Sequence, residues 1–592
     1  MHFKRLEELY IKLFRRQLAG VDALPQLAFL GLLSGALTAG VIVLFRLAIE
    51  WPLAYFLPDH NAENFEELHW AVRSILPLAG AAIIGTVWYR LQISQRKTGV
   101  AYVIERLGYH QGYITFKSGL TQFFAGVMTI GTGQSAGREG PAVHLGSACA
   151  SLLGQKMRLP NNSIRTLVGC GTAAAISASF NTPIAGVIFA MEVVMMEYTI
   201  AGFTPVILAS VSAAIISQSV YGDAYAFIVP QHNMTSLLEI PYVVLMGVIL
   251  GIASAAFVYV LQYFMRFSAK PIFLRLLAGG ALTAVAALAF PQIMGLGYDT
   301  VNQTMLGEIS LALLCAIALV KLLVTAAAVG LGMPSGLVGP TLFIGATAGG
   351  ALGLIAELIM PESASSNGFY AMLGMGAMMG AALQAPLAAL MALLELTHNP
   401  NIILPGMLII TVASMVASEF FGQRSIFLTV LKEQGLDYHN SPVTQALRRV
   451  SVGAVMERNL YRSERLLTIE KAKEILRLEP KWIVINKDDK PSSALPVGDL
   501  ARFMEENKQH FLTLEANPAA EKVIIDLLDI PAQRKDITPI YYQATLQEAM
   551  DKFNESSVEA LYVERTSAPM IKTILGIITR GDVEGHYQYK KR

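Results

Sequence analysis

Charged residues are scarce in this chain. Asp, Glu, Lys and Arg make up 15% of its 592 residues and hydrophobic residues 54%, whereas soluble domains average about 25% charged residues. The charge is also unevenly placed, since 44 of the 89 charged residues lie in positions 1–440 and 45 in positions 441–592. The low charge of the first part excludes a soluble globular domain there. It predicts a large membrane-embedded body followed by a soluble tail.

Cysteine is rarer still. Cys149, Cys170 and Cys315 lie in apolar stretches without paired spacing, so the sequence predicts neither a disulfide framework nor a zinc site. The formal net charge of +1 gives no indication of a nucleic-acid partner. The tail lacks an arrangement of a nucleophile with a base, or of metal ligands, so an enzyme is not expected.

Long apolar stretches fill the first part of the chain and predict an all-α multi-pass membrane protein over residues 25–435, with more than ten helical segments. Stretches of about 20 residues, long enough to cross a bilayer, begin near Leu27, Val72, Phe123, Ile164, Phe203, Val243, Phe273, Ala312, Met372 and Ile402. Residues 1–24 have no signal-peptide pattern and predict a basic amphipathic helix on the cytoplasmic membrane surface. Residues 436–450 would be a linker, and 451–592 a cytoplasmic α/β tail. The expected location is a bacterial inner or plasma membrane.

Two short motifs occur twice. The motif Gly-x-x-Gly-Pro is found at residues 137–141 and 336–340, and in both copies a further glycine follows five residues after the proline. A proline and a glutamate nine residues apart also recur, at 183–192 and 386–395. Their common order predicts two repeats, about residues 25–225 and 240–430. Duplicated membrane repeats with helices interrupted by glycine and proline are typical of a transport site at the repeat interface.

The broken helices indicate what such a site would bind. A helix that begins after a glycine-rich break leaves backbone N–H groups unpaired, and its N-terminus carries a partial positive charge. Two such starts facing the bilayer centre would bind an anion without a cage of lysine or arginine. The weaker binding favours release, which transport requires. The pattern therefore favours a small anion such as a halide or nitrate over phosphate.

Residues 131–141, which read GTGQSAGREGP, and residues 336–340, which read GLVGP, resemble the CLC chloride channels and proton-coupled chloride transporters. The resemblance covers roughly residues 25–435. It implies two inverted repeats of broken, tilted helices per subunit, a homodimer with one pore in each subunit, and chloride as the bound substrate. Residues 451–592 resemble a tandem pair of CBS domains, a regulatory tail common in this family.

The resemblance assigns a gate to Glu139. In the family this carboxylate occupies an anion site when ionised and swings away when it is protonated or displaced, so that opening depends on pH, chloride and voltage. The neighbouring Arg138 and Gly140 would contribute to the same anion site. The alternative hypothesis is that Glu139 is only the buried ion-pair partner of Arg138, because charges in membrane proteins are often paired.

A central anion site is implied further along the pore. Thr98 keeps the hydroxyl of the family's first motif, which favours chloride, and the backbone donors would be Leu337 and Val338. The position of the family's tyrosine falls on Phe427, so that hydroxyl is missing and a weaker site is expected. Lys97 departs from the family glycine; it would be either a solvated residue at the inner mouth or a residue that attracts anions.

Val193 bears on the mechanism. Proton-coupled members of the family carry a glutamate there, and valine cannot carry a proton, so the sequence favours a passive channel. The alternative is a chloride/proton antiporter with an unusual inner proton path, in which Glu197 would serve as relay only if its helix breaks. Glu192 is expected to be structural because Glu395 is its counterpart in the second repeat. A third hypothesis is a non-conducting scaffold that senses through the tail.

The second CBS copy contains a nucleotide-binding pattern. Thr579 and Asp582 match the Gly-x-x-Thr-x-x-Asp motif that binds ribose and phosphate in CBS pairs. The first copy keeps Asp499 but has Pro496 in place of the threonine. ATP or another adenine nucleotide is therefore one expected ligand of the tail, and a purely structural tail is the alternative.

Overall fold

The computed structural model describes most of the chain: residues 24–198, 200–222, 227, 234–436, 438, 442–487, 490–509, 511, 524–568 and 571–589. The amphipathic helix predicted for residues 1–24 therefore lies, apart from its last residue, outside the described residues. The described chain divides into two compact units. The first contains residues 24–158 and 164–439, and the second contains residues 159–163 with those after 440.

The first part of the chain is helical, as predicted, with seventeen α-helices among the described residues. They are α1 (Leu24–Phe56), α2 (Trp70–Arg90), α3 (Gly99–Tyr109), α4 (Phe116–Gly131), α5 (Glu139–Lys156), α6 (Asn161–Phe180), α7 (Pro183–Phe189), α8 (Ile200–Tyr221), α9 (Ile240–Met265), α10 (Ile272–Ala289), α11 (Tyr298–Leu306), α12 (Leu311–Gly330), α13 (Val338–Ile359), α14 (Asn367–Leu383), α15 (Pro386–Thr397), α16 (Ile403–Met415) and α17 (Ile426–Glu433).

The helices differ in length for a reason visible in the sequence. Eight helical segments among the described residues are long and apolar enough to cross a bilayer. The shorter ones begin or end where glycine and proline interrupt the apolar pattern, as α7 and α15 do at Pro183 and Pro386. Proline is tolerated in the first turn of a helix because its missing N–H would have had no partner there. Each proline of the repeated pair therefore marks a helix start.

The two repeats pack their helices by the same close contact. A Cβ on Gly146 of α5 would lie 2.3 Å from the carbonyl oxygen of Gly171 in α6. A Cβ on Gly345 of α13 would lie 2.3 Å from that of Gly374 in α14. Small residues let helix backbones approach closely within a membrane. The glycine that follows each motif is therefore needed for the crossing of two helices.

The tail is an α/β unit built from one pattern used twice. Its elements are α18 (Pro442–Arg448), α19 (Val452–Val455), β1 (Leu460–Glu464), β2 (Leu466–Thr468), α20 (Ile469–Arg477), β3 (Trp482–Lys487), β4 (Lys490–Pro496), α21 (Val497–Glu506), β5 (Ile524–Asp526), β6 (Lys535–Tyr541), α22 (Leu546–Ser556), β7 (Ala560–Ala568), β8 (Ile571–Thr579) and α23 (Arg580–Tyr589). The main sheet has the order β1-β3-β4-β6-β7-β8. In the first copy β1 pairs in parallel with β3, and β3 pairs with β4 in an antiparallel hairpin. In the second copy β6 pairs in parallel with β7, and β7 pairs with β8 in an antiparallel hairpin.

Candidate functional site

The two Gly-x-x-Gly-Pro motifs meet directly. The Gly137 N–H donates to the carbonyl oxygen of Gly336 at 3.2 Å, and the Gly336 N–H donates to the carbonyl oxygen of Gly137 at 2.9 Å. A Cβ on Gly140 would lie 2.6 Å from the Cα of Gly336, so only glycine permits this approach. The pairing brings the N-terminus of α5, at Glu139, beside that of α13, at Val338. Two helix starts from different repeats therefore lie together, as the motifs predict.

The carboxylate of Glu139 is buried between these helix starts. Its Oε2 accepts a hydrogen bond from the Gly339 N–H at 2.9 Å, and its Oε1 accepts one from the Tyr298 hydroxyl at 2.6 Å. The side chain of Glu139 is fully buried. The N–H groups in the first turn of a helix are donors without partners in the helix and attract negative charge. The carboxylate thus occupies a position where an anion would also be bound.

Arg138 has its own partners. Its guanidinium donates to Glu50 Oε1 at 3.3 Å and to the carbonyl oxygen of Ser179 at 2.9 Å. It also lies over the Tyr298 ring, 5.3 Å from the ring centroid. The ion pair of Arg138 is therefore made with Glu50, which leaves the carboxylate of Glu139 to its two hydrogen-bond donors. This geometry does not favour Glu139 as a mere ion-pair partner, and a contribution of Arg138 to the anion site stays a prediction.

Thr98 occupies the N-cap position of α3, and its side chain makes no capping hydrogen bond to that helix. It precedes α3 in an extended conformation, and the Gly99 N–H donates to Gln122 Oε1 at 2.8 Å. A Cβ on Gly99 would lie 3.9 Å from the carbonyl oxygen of Ser335. The hydroxyl of Ser335 in turn accepts from the Gly137 N–H at 3.2 Å. The turn at Thr98 therefore lies beside the paired motifs.

Lys97 is neutralised by a neighbour. Its ammonium contacts both oxygens of Glu105 at 2.8 Å, and Glu105 is buried while Lys97 is half-buried. A lysine held by a buried carboxylate offers little net charge to a passing anion. Lys97 is thus in an ion pair with Glu105, and its role at the inner mouth, as a solvated or an anion-attracting residue, stays a prediction.

The remaining predicted pore residues lie at helix starts. Leu337 is the N-cap of α13 and Val338 its first residue; the N–H that reaches the carboxylate of Glu139 belongs to the next residue, Gly339. Phe427 is buried near the start of α17, and α17 packs against α3, the helix that begins after Thr98. The place of Phe427 at the inner mouth stays a prediction.

The helix around Val193 is interrupted. Val193 lies in a π-helical turn, Ala190–Met195, and Met196 follows with a left-handed backbone at φ 53°. Beyond this break the carboxylate of Glu197 lies 3.7 Å from the guanidinium of Arg165, and both side chains are buried. Glu197 could replace the lost proton relay only if its helix breaks, and the helix does break at Met196.

Glu192 and Glu395 each cap a helix of the other repeat. Glu192 accepts from the Leu387 and Ala388 N–H groups of α15 at 3.3 and 2.6 Å. Glu395 accepts from the N–H groups of residues 184 and 185 of α7 at 2.9 and 2.6 Å. Carboxylates are favourable at helix N-termini because they satisfy unpaired donors. The exchanged caps agree with the structural role expected for this pair.

Comparison with known proteins identifies the family of this site. The family model described as voltage gated chloride channel matches residues 80–418, more than half of the chain. The chain belongs to this family, the CLC family. It is therefore a multi-pass membrane protein of a family that transports anions, and the predicted resemblance is confirmed.

Three relatives illustrate the breadth of the CLC family. A putative chloride channel protein ClcB-like from Ralstonia nicotianae is 30% identical over 377 residues, which cover 62% of this chain and 86% of that protein. An H(+)/Cl(-) exchange transporter ClcA from Vibrio cholerae is 28% identical over 335 residues, 54% of this chain and 71% of that protein. The chloride channel protein CLC-f from Arabidopsis thaliana is 26% identical over 632 residues, 93% of this chain and 79% of that protein.

Solved CLC structures share the fold. A slow cyanobacterial Cl-/H+ antiporter superposes with a TM-score of 0.61 at 22% identity and covers 69% of this chain and 97% of that one. A eukaryotic CLC transporter superposes with a TM-score of 0.56 at 16% identity and covers 94% of this chain and 97% of that one. These likenesses confirm the predicted fold class. The doubled strand–helix–strand pattern of the tail is compatible with the predicted CBS pair.

The nucleotide motif in the tail of this CLC protein is folded into a helix cap. Asp582 Oδ2 accepts from the Thr579 N–H at 2.8 Å and from the Thr579 hydroxyl at 2.6 Å. In the first copy Pro496 is the N-cap of α21, and Asp499 forms an ion pair with Arg502 at 2.9 Å. These contacts give both copies a structural use for the motif. Nucleotide binding stays a prediction.

Sequence reasoning did not anticipate several residues at the CLC site. Tyr298, Glu50 and Gln122 contact Glu139, Arg138 and Gly99 from positions 159, 88 and 23 residues away in the chain. None of the three belongs to a repeated motif. Only the glycines on either side of Leu296 marked the Tyr298 loop as unusual.

Proposed function

We propose that this protein conducts chloride passively, as a channel gated by Glu139. The observation that carries the proposal is the position of its buried carboxylate at the start of α13, with the Gly339 N–H on Oε2. A carboxylate and a chloride ion compete for such donors, so protonation or high chloride would free the site. The acid form no longer carries the charge that holds the side chain there. Opening would therefore increase as pH falls.

The absence of an acid at Val193 supports passive conduction. Its side chain is buried in the π-helical turn and has no group that can take up a proton. If no proton has to move from the gate to the inner side of the membrane, chloride flux is not coupled to proton transport. Chloride then moves only down its own gradient. The thermodynamic signature of such a pore is flux without proton movement.

The alternative, a chloride/proton antiporter, is favoured by one observation. The helix breaks at Met196, and the break places Glu197 in a buried ion pair with Arg165. A buried carboxylate in a membrane protein often belongs to a proton relay. The ClcA relatives are named as H(+)/Cl(-) exchangers, which keeps this second mechanism under test. A sensor with a non-conducting scaffold would have no use for the displaceable carboxylate of Glu139.

The gate is tested with Glu139→Gln in liposomes. Glutamine resembles the protonated acid and cannot ionise, so we expect chloride efflux that is nearly independent of pH between 4.5 and 8.5. Glu362→Gln, which changes an exposed glutamate in the connection between α13 and α14, serves as the matched control and should keep the wild-type profile. A wild-type pH response in Glu139→Gln would refute the gate.

The mechanism is tested by proton movement. Vesicles with a chloride gradient and no proton gradient should show no uphill proton uptake if the protein is a channel. Uphill uptake would overturn the channel proposal in favour of the antiporter. In that event Glu197→Gln should abolish the uptake while chloride flux persists, and Glu362→Gln should leave both unchanged.

The assembly and orientation are proposed on the same basis. We infer a homodimer with one pore in each subunit, with both termini in the cytoplasm and with the tail as a regulatory CBS pair for an adenine nucleotide. The support is the family membership and the doubled pattern of the tail. Equilibrium binding of labelled ATP to the purified full chain tests the ligand, since a lack of binding at millimolar nucleotide contradicts it.

A further inference from the structure

The carboxylate of Glu139 is held by two donors, one on each oxygen. The Gly339 N–H donates a hydrogen bond to Oε2, and the Tyr298 hydroxyl donates one to Oε1 at 2.6 Å. Both side chains of the pair are buried. Among the described hydrogen bonds, the one from Tyr298 is the single side-chain contact to this carboxylate. If this carboxylate must leave the anion site before chloride can pass, the contacts that hold it there determine how readily the pore opens.

We propose that Tyr298 is a positioning residue whose hydroxyl holds the carboxylate of Glu139 in the anion site and sets how readily the gate opens. The proposal rests on the proposed gating function of Glu139. It adds a side-chain contact from α11, outside both repeated motifs, to the backbone donor of the second motif, the Gly339 N–H. The consequence is a gate whose pH range is set by residue 298.

The chemistry of the contact favours the closed gate. A hydroxyl bonds an ionised carboxylate about twice as strongly as a neutral acceptor. Tyr298 therefore stabilises the ionised, seated form of Glu139 more than the protonated form. Chloride that competes for the Gly339 N–H must also displace a carboxylate that this second donor retains. Loss of the hydroxyl should make both protonation and displacement easier.

The loop before α11 is built to hold Tyr298 in place. Gly297 precedes it with φ 75°, and a Cβ there would lie 2.6 Å from the Phe343 ring, so only glycine is accommodated. The buried ammonium of Lys321 donates to the carbonyl oxygens of Ile293 and Gly295 at 2.8 and 3.1 Å. These contacts fix the loop, and the hydroxyl is therefore positioned before the gate closes on it.

Packing around the ring restricts it further. Its centroid lies 5.2 Å from that of Phe227 and 6.2 Å from that of Phe180. The guanidinium of Arg138 covers the ring at 5.3 Å. Such contacts leave the tyrosine few alternative rotamers. A phenylalanine would keep all of these ring contacts, so Tyr298→Phe removes only the hydroxyl oxygen.

Several charged or titratable groups face the Tyr298–Glu139 pair from the surrounding elements. They are Glu50 of α1, Glu63 of the connection to α2, Arg138 of α5, Asp299 of α11 and Lys321 of α12. Arg138 is paired with Glu50 and Lys321 with backbone carbonyls. Glu63 accepts from the Asp299 N–H at 3.1 Å and is the acid most able to add its own pH response. A Glu63→Gln variant is therefore part of the test.

The experiment compares chloride efflux from liposomes at equal internal and external pH, from 4.5 to 8.5. Loss of a hydrogen bond to a charged group is worth about tenfold or more. We therefore expect the pH of half-maximal flux to rise by about one unit in Tyr298→Phe, also in the Glu63→Gln background. Tyr242→Phe is the matched control, because it removes a hydroxyl that donates to the Leu352 carbonyl oxygen at 2.6 Å. Its profile should be that of wild type.

A second measurement does not depend on flux. Titration calorimetry of the purified full-length variants at pH 7.5 should show several-fold tighter chloride binding in Tyr298→Phe, because the carboxylate competes less well. An unchanged pH profile of Tyr298→Phe would overturn the proposal, and so would an unchanged chloride affinity. So would an equal change of flux by Tyr298→Phe in wild type and in Glu139→Gln, because the hydroxyl would then act on the pore and not on the gate.

The two levels of the proposal fail differently. If Glu139→Gln keeps the wild-type pH response, the gating function itself is wrong. If Glu139→Gln removes that response while Tyr298→Phe leaves the pH of half-maximal flux at its wild-type value, the gate stands and only the role of Tyr298 is wrong.

Discussion

Glu63 introduces a pH dependence of stability that is separate from the gate. It lies in the connection between α1 and α2, outside both spans, and burial together with the nearby Asp299 carboxylate raises its pKa to about 7. A group with a raised pKa binds its proton more tightly in the folded state. Its contribution to stability is therefore complete below about pH 4.5 and is lost as pH rises toward 7.

We expect Glu63→Gln to unfold at a higher temperature than wild type at pH 8 and at the same temperature at pH 4.5. Glutamine cannot ionise, so the loss at high pH disappears, and one pKa unit is worth about 1.4 kcal/mol. Thermal unfolding in detergent, followed by intrinsic fluorescence, measures the difference. Glu67→Gln, an exposed neighbour, should shift neither value. A lower unfolding temperature of Glu63→Gln at pH 8 would contradict the assignment.

Individual residues differ in how far the sequence reveals them. Glu139 lies in a motif whose glycines indicate close backbone contact, and this can be predicted from the sequence alone. Tyr298 and Glu50 reach the same site through a folded loop and a long helix. Their contacts depend on tertiary structure, and no spacing rule connects positions 159 and 88 residues apart. Lys97 shows the same limit, since its ion pair with Glu105, eight residues away, was not predicted.

At the scale of helices and loops, the exchanged caps of α7 and α15 tie the repeats together. Each carboxylate accepts two N–H groups of a helix that belongs to the other repeat. The equal proline–glutamate spacing in both repeats predicted equivalent positions for Glu192 and Glu395. The exchange itself was not predictable, because a capping carboxylate normally belongs to the chain segment at its own helix start.

Removal of either cap charge should destabilise the membrane unit to a similar degree. Glu192→Gln and Glu395→Gln each replace a charged acceptor of two N–H groups, and we expect a loss of about 1–2 kcal/mol in each. Thermal unfolding in detergent measures it. Glu357→Gln, an exposed glutamate of α13, is the matched control. Unequal losses, with one variant unchanged, would show that the two caps are not equivalent.

For the whole molecule, the important observation is that one chain supplies both hydrogen-bond donors to the carboxylate of the proposed gate. Glu139, Gly339 and Tyr298 all come from the same polypeptide. These contacts therefore lie within one subunit. If the protein is a homodimer, its two pores should open independently of each other.

Mixed dimers test this independence. A dimer of one wild-type and one Glu139→Gln subunit, isolated by two affinity tags, should show a pH-independent flux of about half that of the double variant. The remaining flux should keep the wild-type pH profile, because it passes through the other subunit. The measurement is chloride efflux from liposomes reconstituted at less than one protein per vesicle. A uniform, fully pH-independent flux would mean that one gate controls both pores.

The exchanged caps also bear on the history of the chain. A polypeptide with a single repeat would present one glutamate at a helix end and one uncapped helix start. Two such copies, inserted in opposite directions across the membrane, would each cap the helix start of the other with the same glutamate. One substitution in the shared sequence would then remove both caps at once. In the present chain Glu192 and Glu395 are encoded separately. Each half is thereby free to differ from the other, and at the matching position of the Gly-x-x-Gly-Pro motif one copy carries Glu139 and the other Val338.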